Sequence, residues 1–220
     1  MKKYTFAFVI IVLVLAFGVL GWTKLATYTD ITSDPAFMDD FYVAEIPSTL
    51  AIEDCQSLKT ELLYAPIILK VTPLHKPEFF FKGWQQKVRI EHIFSASTLC
   101  EGDEIYITSS RWKAYIKDKA IDTSFVNFMS EGQSYLIFVE KSVGFEHDKT
   151  EVFKLYTKRY IAPVFSYDIH ANSVYPVSGD STYVPYAEVN NNEFFADSVE
   201  GLDAFLSLKS LLIETFPAES

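Results

Sequence analysis

Three regimes of hydrophobic patterning follow one another along the chain. From Tyr4 to Trp22 there is no charged residue, and a helix of that length, rising 1.5 Å per residue, would extend about 28 Å, near the hydrocarbon thickness of a bilayer. Lys2 and Lys3 precede the run, whereas Asp30, Asp34, Asp39, Asp40 and Glu45 follow it against a single Lys24. That asymmetry keeps the N-terminus in the cytoplasm and the bulk of the chain outside it. The small-residue sites Ala16-Phe17-Gly18 and Val19-Leu20-Gly21 fit cleavage imperfectly, the first cutting into the apolar run and the second abutting Trp22, an interfacial anchor type. Residues 1–23 therefore read as an uncleaved signal anchor of a single-pass cell-membrane protein. A cleaved signal peptide, which would release the domain as a secreted protein, is the alternative.

Residues 24–46 show no sustained period and read as a juxtamembrane linker, leaving 47–220 as an extracytoplasmic domain. Pro47, an N-cap at Ser48 or Thr49, and the spacing Ile52, Cys55, Leu58, Leu62 predict a helix that stops before Ala65-Pro66. From Pro66 the period becomes two. Ile67, Leu69 and Val71 alternate with Ile68, Lys70 and Thr72; Lys87, Arg89 and Glu91 alternate with Val88 and Ile90; Ile105 and Ile107 alternate with Tyr106 and Thr108. Tyr135 to Val139 is apolar on both parities, as a strand covered on two sides requires. Further strands are expected at Val152–Tyr160, Val164–Ile169 and Ser173–Val177, with a tight turn at Ala171-Asn172. Asp197 and Glu200 then suggest a capping box for an amphipathic helix over about 198–215, with Leu202, Phe205, Leu206, Leu212 and Ile213 as its apolar stripe.

A helix, five or more strands without helical patterns between them, and a final helix exclude a parallel βαβ sheet. The expected fold is mainly β, of the β-rich α+β kind: a small antiparallel barrel over about 65–180, with a preceding helix and a C-terminal amphipathic helix. The strings Ala65-Pro66-Ile67-Ile68-Leu69-Lys70-Val71, Val88-Arg89-Ile90-Glu91-His92-Ile93-Phe94, Gly102-Asp103-Glu104-Ile105-Tyr106-Ile107 and Glu131-Gly132-Gln133-Ser134-Tyr135-Leu136-Ile137-Phe138-Val139 resemble the OB-fold domains of the netrin and tissue-inhibitor-of-metalloproteinase type. Similar strings occur in membrane-anchored proteins of Gram-positive bacteria. The resemblance covers about 75 residues, mostly barrel-core positions, and implies an OB-like barrel. Inhibitors of that family act through a cysteine at the mature N-terminus; no cysteine here precedes Cys55, so protease inhibition is not implied.

Composition narrows the partners. Nearly half of the 220 residues are apolar and the formal charge is -10, so the chain should bury a core and repel a nucleic-acid backbone. The densest basic group, Lys113, Lys117 and Lys119, is broken by Asp118 and reads as a solvated face.

Chemistry-bearing residues are sparse. His75, His92, His147 and His170 have no metal-ligand spacing among themselves or with a cysteine. His92, in step with Val88 and Ile90, reads as a core histidine or the mark of a bulge. No nucleophile elbow and no phosphate-cradling glycine loop occurs. Asp39-Asp40 and Glu101, Asp103 and Glu104 lack the spacing of a calcium loop and read as turns. Neither a metal nor a cofactor is expected. Cys55 and Cys100 fit one disulfide, or Cys55 is a small buried hydrophobe on its helix. Four aromatics, Phe79, Phe80, Phe81 and Trp84, crowd the segment after the first strand. They form either a contact patch for a partner or membrane, or a plug that packs on the barrel. The expectation is a non-enzymatic binding or interaction module at the cell envelope, meeting a protein partner. A cell-envelope hydrolase with a site assembled from distant residues is the alternative.

Overall fold

The computed structural model describes Gly18 and residues 37–218, except 44–46, 81–82, 96, 110–112, 116–118, 147, 157, 171 and 175–183. Nearly all of the apolar N-terminal run thus lies outside the described residues. Among those described, no helix is long and apolar enough to cross a membrane.

A 3-10 turn at Phe37–Asp40 leads into β1 (Tyr42–Val43) and then α1 (Ser48–Glu61). Pro47 itself is the N-cap of α1 and no side chain caps it, so the expected Ser48 or Thr49 cap is displaced: a proline fixes the entry φ and has no amide to satisfy. Ala51, Asp54, Cys55 and Leu58 make the buried face. A 3-10 turn, Leu62–Tyr64, ends the helix ahead of Ala65-Pro66 as the sequence predicts.

The strands that follow are β2 (Ile67–Pro73), β3 (Glu78–Phe80), β4 (Gly83–Ile93), β5 (Glu104–Ser109), β6 (Lys113–Tyr115), β7 (Ala120–Asp122), β8 (Tyr135–Phe145), β9 (Glu151–Leu155), β10 (Val164–Ser166) and β11 (Val184–Pro185). Five of them close a barrel in the order β2-β4-β5-β9-β8-β2. All its pairs are antiparallel except β5–β9, which is parallel. The expectation of a wholly antiparallel barrel is corrected here, and geometry requires it: directions cannot alternate around a closed ring of five. Closure spans 67–155 rather than 65–180. β10 lies outside the ring, against β8, and β1, β6, β7 and β11 form a separate small sheet.

Burial follows the strand period. On β4, Trp84, Gln86, Val88 and Ile90 are buried, with half-buried Gln85 and Lys87 and exposed Arg89 between them. Opposite β2, the register skips from Val71↔Ile90 to Lys70↔His92. Glu91 is the extra residue of a β-bulge, and the bulge turns His92 out of step with Val88 and Ile90. Tyr135 to Val139 are buried on both faces, as their composition predicts.

After β11 come a single turn, α2 (Tyr186–Val189), and the long α3 (Val199–Thr215). Ser198, one residue past the expected Asp197, is the cap of α3, its hydroxyl accepting the Gly201 N–H at 3.1 Å. The two long helices pack side by side: Ser198 Oγ donates to Ser48 Oγ at 2.7 Å, and Lys59 Nζ reaches Ser207 Oγ. Gly201 lets the helices approach closely, because a Cβ there would stand 3.0 Å from Ser48 Oγ, which would have to give way.

Candidate binding cleft

The loop joining the small sheet to β8 turns through two left-handed residues, Ser124 (φ 62°) and Phe125 (φ 67°). Residues with side chains rarely adopt that conformation. It is held by Ser124 N–H donating to the buried Asp122 carboxylate at 2.9 Å and by Ser124 O accepting the Ala162 amide. The turn sends Val126–Met129 alongside Asn192–Ala196, with Phe195 N donating to Phe125 O and Asn127 N to Glu193 O. Side-chain amides lock the two runs together. Asn127 Nδ2 donates to the carbonyls of Asn190 (2.8 Å) and Asn192 (2.9 Å), and Asn172 Oδ1 accepts both Glu193 N and Phe194 N. Phe194 is anchored behind them by its stack on Phe205 of α3, centroids 5.0 Å apart.

This web frames a cleft of about 270 Å³ beside the start of β8. Asn127, Asn191, Asn192, Gln133, Ser130 and Tyr135 are among its polar lining residues, and Val126, Phe128, Val164 and Ile169 among its apolar ones. Tyr135 Oη accepts the Ser130 amide at 2.8 Å and donates to Gln133 Oε1 at 3.1 Å. Burial pushes the Tyr135 phenol pKa up.

Glu193, 6% exposed, is the carboxylate in the lining. Its Oε1 accepts the Ser166 amide at 2.7 Å and its Oε2 accepts Lys209 Nζ from α3. Burial raises the Glu193 pKa above the usual carboxylate value; Lys209, the Ser166 amide and His170 pull in the opposite direction. His170 also lines the cleft, and its Nε2 is buried with no hydrogen-bond partner. Ile169 and His170 separate this cleft from a shallower groove of about 510 Å³ whose walls include Tyr167, Leu206 and Ile213.

The residues singled out in the sequence lie elsewhere, His170 excepted. Phe79 stands between Phe37 and Phe128, edge-on to both at 5.2 and 5.1 Å, and Trp84 meets Phe128 at 5.5 Å. Trp84 is 6% exposed, so it and Phe79 are packed into one aromatic cluster. Phe80 is 45% exposed, and Phe81 lies outside the described residues. Instead of a loop, the segment is the β3–β4 hairpin, where a Cβ on Gly83 would stand 2.3 Å from Ser109 O.

Cys55 and Cys100 are both free, one buried on α1 and the other exposed. The small-hydrophobe reading therefore describes Cys55, and burial pushes its thiol pKa up to about 12. His92 Nδ1 pairs with Glu101 Oε1 at 2.7 Å on the surface. His75 is near the barrel through its carbonyl, which accepts Gln86 Nε2, and His147 lies outside the described residues. Among the described residues no three His, Cys, Asp or Glu side chains converge as a metal site would need.

Sequence reading missed the cleft because its amides come from 127–133 and 190–192, segments without period. The available signal was the run Asn190-Asn191-Asn192-Glu193, whose residue types favour turns as readily as ligand contacts. A scan against protein-family models finds no match to the chain, and a comparison with curated proteins finds none either.

Proposed function

We propose that the protein is a membrane-anchored, extracytoplasmic binding module of the OB class, non-enzymatic, with its ligand in the cleft beside β8. The observation that carries this reading is how the cleft's polar groups are employed. Asn127 and Asn192 hold backbone together, Tyr135 is both donor and acceptor within its own loop, and Glu193 is bonded at both oxygens. Groups fixed in this way give a preformed surface and lower the ordering cost of binding. Support for the OB class is the ring order first-second-third-fifth-fourth with one parallel closure, together with the sequence strings already quoted. The anchor and outward orientation rest on the uncharged run Tyr4–Trp22 and its flanking charges.

A hydrolase is the second reading, and it has one observation in its favour: His170 shares the cleft with the Tyr135 and Ser130 hydroxyls and with Glu193. Catalysis would need a base hydrogen-bonded to a nucleophile and oriented by a third group. Instead Glu193 is bonded to Lys209 and the Ser166 amide, and Tyr135 to its own loop. The test is a photo-crosslinking residue in place of Asn191, in the full chain in its own membrane, with adducts identified by mass spectrometry. Binding predicts adducts that differ from those of the same residue in place of Tyr64, which is 83% exposed. Identical adducts at the two positions reject the cleft as the site.

A further inference from the structure

We infer that the groove of about 510 Å³ beside α3 docks a short peptide segment that is both apolar and basic. This site is separate from the cleft beside β8 and does not depend on it. α3 buries Phe205, Leu208 and Leu212 in the core. Leu206, Ser210, Ile213 and Glu214, spaced at four, seven and eight residues along the helix, make a neighbouring stripe that lines the groove. Leu206 is 40% exposed, and Ile169, from the segment 167–170 that completes the lining, is fully exposed. Together with half-buried Ile213 they offer apolar surface that a partner's side chains can cover.

Charge selects the partner. The lysine of the groove, Lys209, is engaged within the protein, by the Glu193 carboxylate and by the Asp168 carbonyl at 2.8 Å. Lys70, 5.7 Å from the centroid of the Tyr167 ring, is paired with Glu91 at 3.1 Å. Asp168 and Glu214 differ: both are exposed, and among the described residues neither carboxylate forms a salt bridge. An anionic segment would be repelled by this pair and by a chain of net charge -10. A lysine or arginine beside an apolar side chain complements the carboxylates and the aliphatic wall together. Between Leu206 and Glu214 the helix advances about 12 Å, a length that about four residues of extended chain cover. The volume falls within the roughly 300–1,000 Å³ of ligand sites.

The test uses the full chain in nanodiscs of zwitterionic phosphatidylcholine, with empty nanodiscs as the blank. Three capped pentapeptides are titrated: leucine alternating with lysine, leucine alternating with glutamate, and serine alternating with lysine. Binding is read by calorimetry and by the methyl resonances of Ile169, Leu206 and Ile213. The expected result is saturable binding of the leucine–lysine peptide at least tenfold tighter than of either other peptide, with the shifts concentrated on those three residues. Asp168→Asn combined with Glu214→Gln should weaken it at least fivefold, and Leu206→Ser should do the same, each at unchanged melting temperature. Equal binding of the serine–lysine peptide would reduce the effect to general attraction of cations and overturn the proposal, as would shifts centred away from the groove. Failure of the leucine–lysine peptide to bind overturns it as well; if the intact chain then sediments as a dimer that Leu206→Asp dissociates, a second copy is the occupant. Crosslinking from position 191 reports on the cleft beside β8, so that reading stands or falls separately.

Discussion

Lys209 of α3 reaches across to Glu193 and bonds its Oε2, tying the C-terminal helix to the floor of the cleft. Both side chains are largely withdrawn from water, at 15% and 4% exposure. The helix is thus more than cover for the barrel, since it supplies the countercharge that lets a carboxylate sit beside a neutral cleft. Lys209→Met should cost about 3–5 kcal/mol in urea unfolding, because it strands a buried charge. Adding Glu193→Gln to that variant should recover most of the loss. A double variant as weak as the single one would show that Lys209 acts through packing alone.

The same carboxylate leaves a pH signature. Burial raises the Glu193 pKa above its ordinary 4.5, so the folded state holds this proton more tightly than the unfolded chain does. The stabilisation is fully present below about pH 4.5 and is lost as pH rises through the folded value. Glu193→Gln cannot lose it. Between pH 4 and 7 the stability of the natural chain should therefore fall relative to that of Glu193→Gln, as read by urea midpoints. A constant difference would contradict the sign of the shift.

The two thiols should separate cleanly under alkylation. With its pKa near 12 and a 1% exposed side chain, Cys55 has almost no thiolate and no access, whereas Cys100 is exposed. Iodoacetamide on the native, unreduced protein should add one group, at Cys100, and a second should appear only in denaturant. Failure to label either cysteine in denaturant without reductant would establish a disulfide.

How much of this the sequence could reveal depended on whether periodicity carried it. The alternation around Val71, Val88, Ile90, Ile105 and Ile107 and the two-sided run Tyr135–Val139 mark the barrel strands, because burial on a pleat has period two. The two helices were legible for the same reason at period 3.6. The parallel β5–β9 pair was hidden, since ring closure is a property of the whole set and leaves no local mark. Asn127, Asn172, Asn192 and Glu193 were hidden differently: they meet from segments 21 to 65 residues apart, through side-chain bonds to backbone that follow no period. His170 was visible as a histidine and invisible as a lining residue.

Gly83 tests the β3–β4 hairpin. Its missing side chain admits Ser109 O, which a Cβ would meet at 2.3 Å. That oxygen belongs to the backbone of β5, opposite Trp84 in the register, and cannot swing aside as a side-chain tip would. Gly83→Ala should therefore destabilise by about 2 kcal/mol or more, within the range for overpacking. At Gly132, whose added Cβ would meet nothing, the cost should instead be that of its positive φ of 77° alone, about 1–2 kcal/mol. Equal losses at the two sites would mean the β4 backbone shifts to make room.

The neighbouring aromatics separate packing from contact. Trp84 is buried against Phe128, and Phe79 is held between Phe37 and Phe128, so truncating either leaves a void in this aromatic cluster. Trp84→Ala should cost about 3–5 kcal/mol, as for large aromatics in cores. Phe80 is nearly half exposed, and Phe80→Ala should change stability by less than about 1 kcal/mol. The two substitutions, assayed by thermal unfolding and by recovery of crosslinked partners from membranes, give four readings. If the hairpin is also a contact surface, Phe80→Ala alone lowers partner recovery at unchanged melting temperature. If the aromatics serve only to plug the barrel, recovery falls solely with Trp84→Ala and in step with its lost stability.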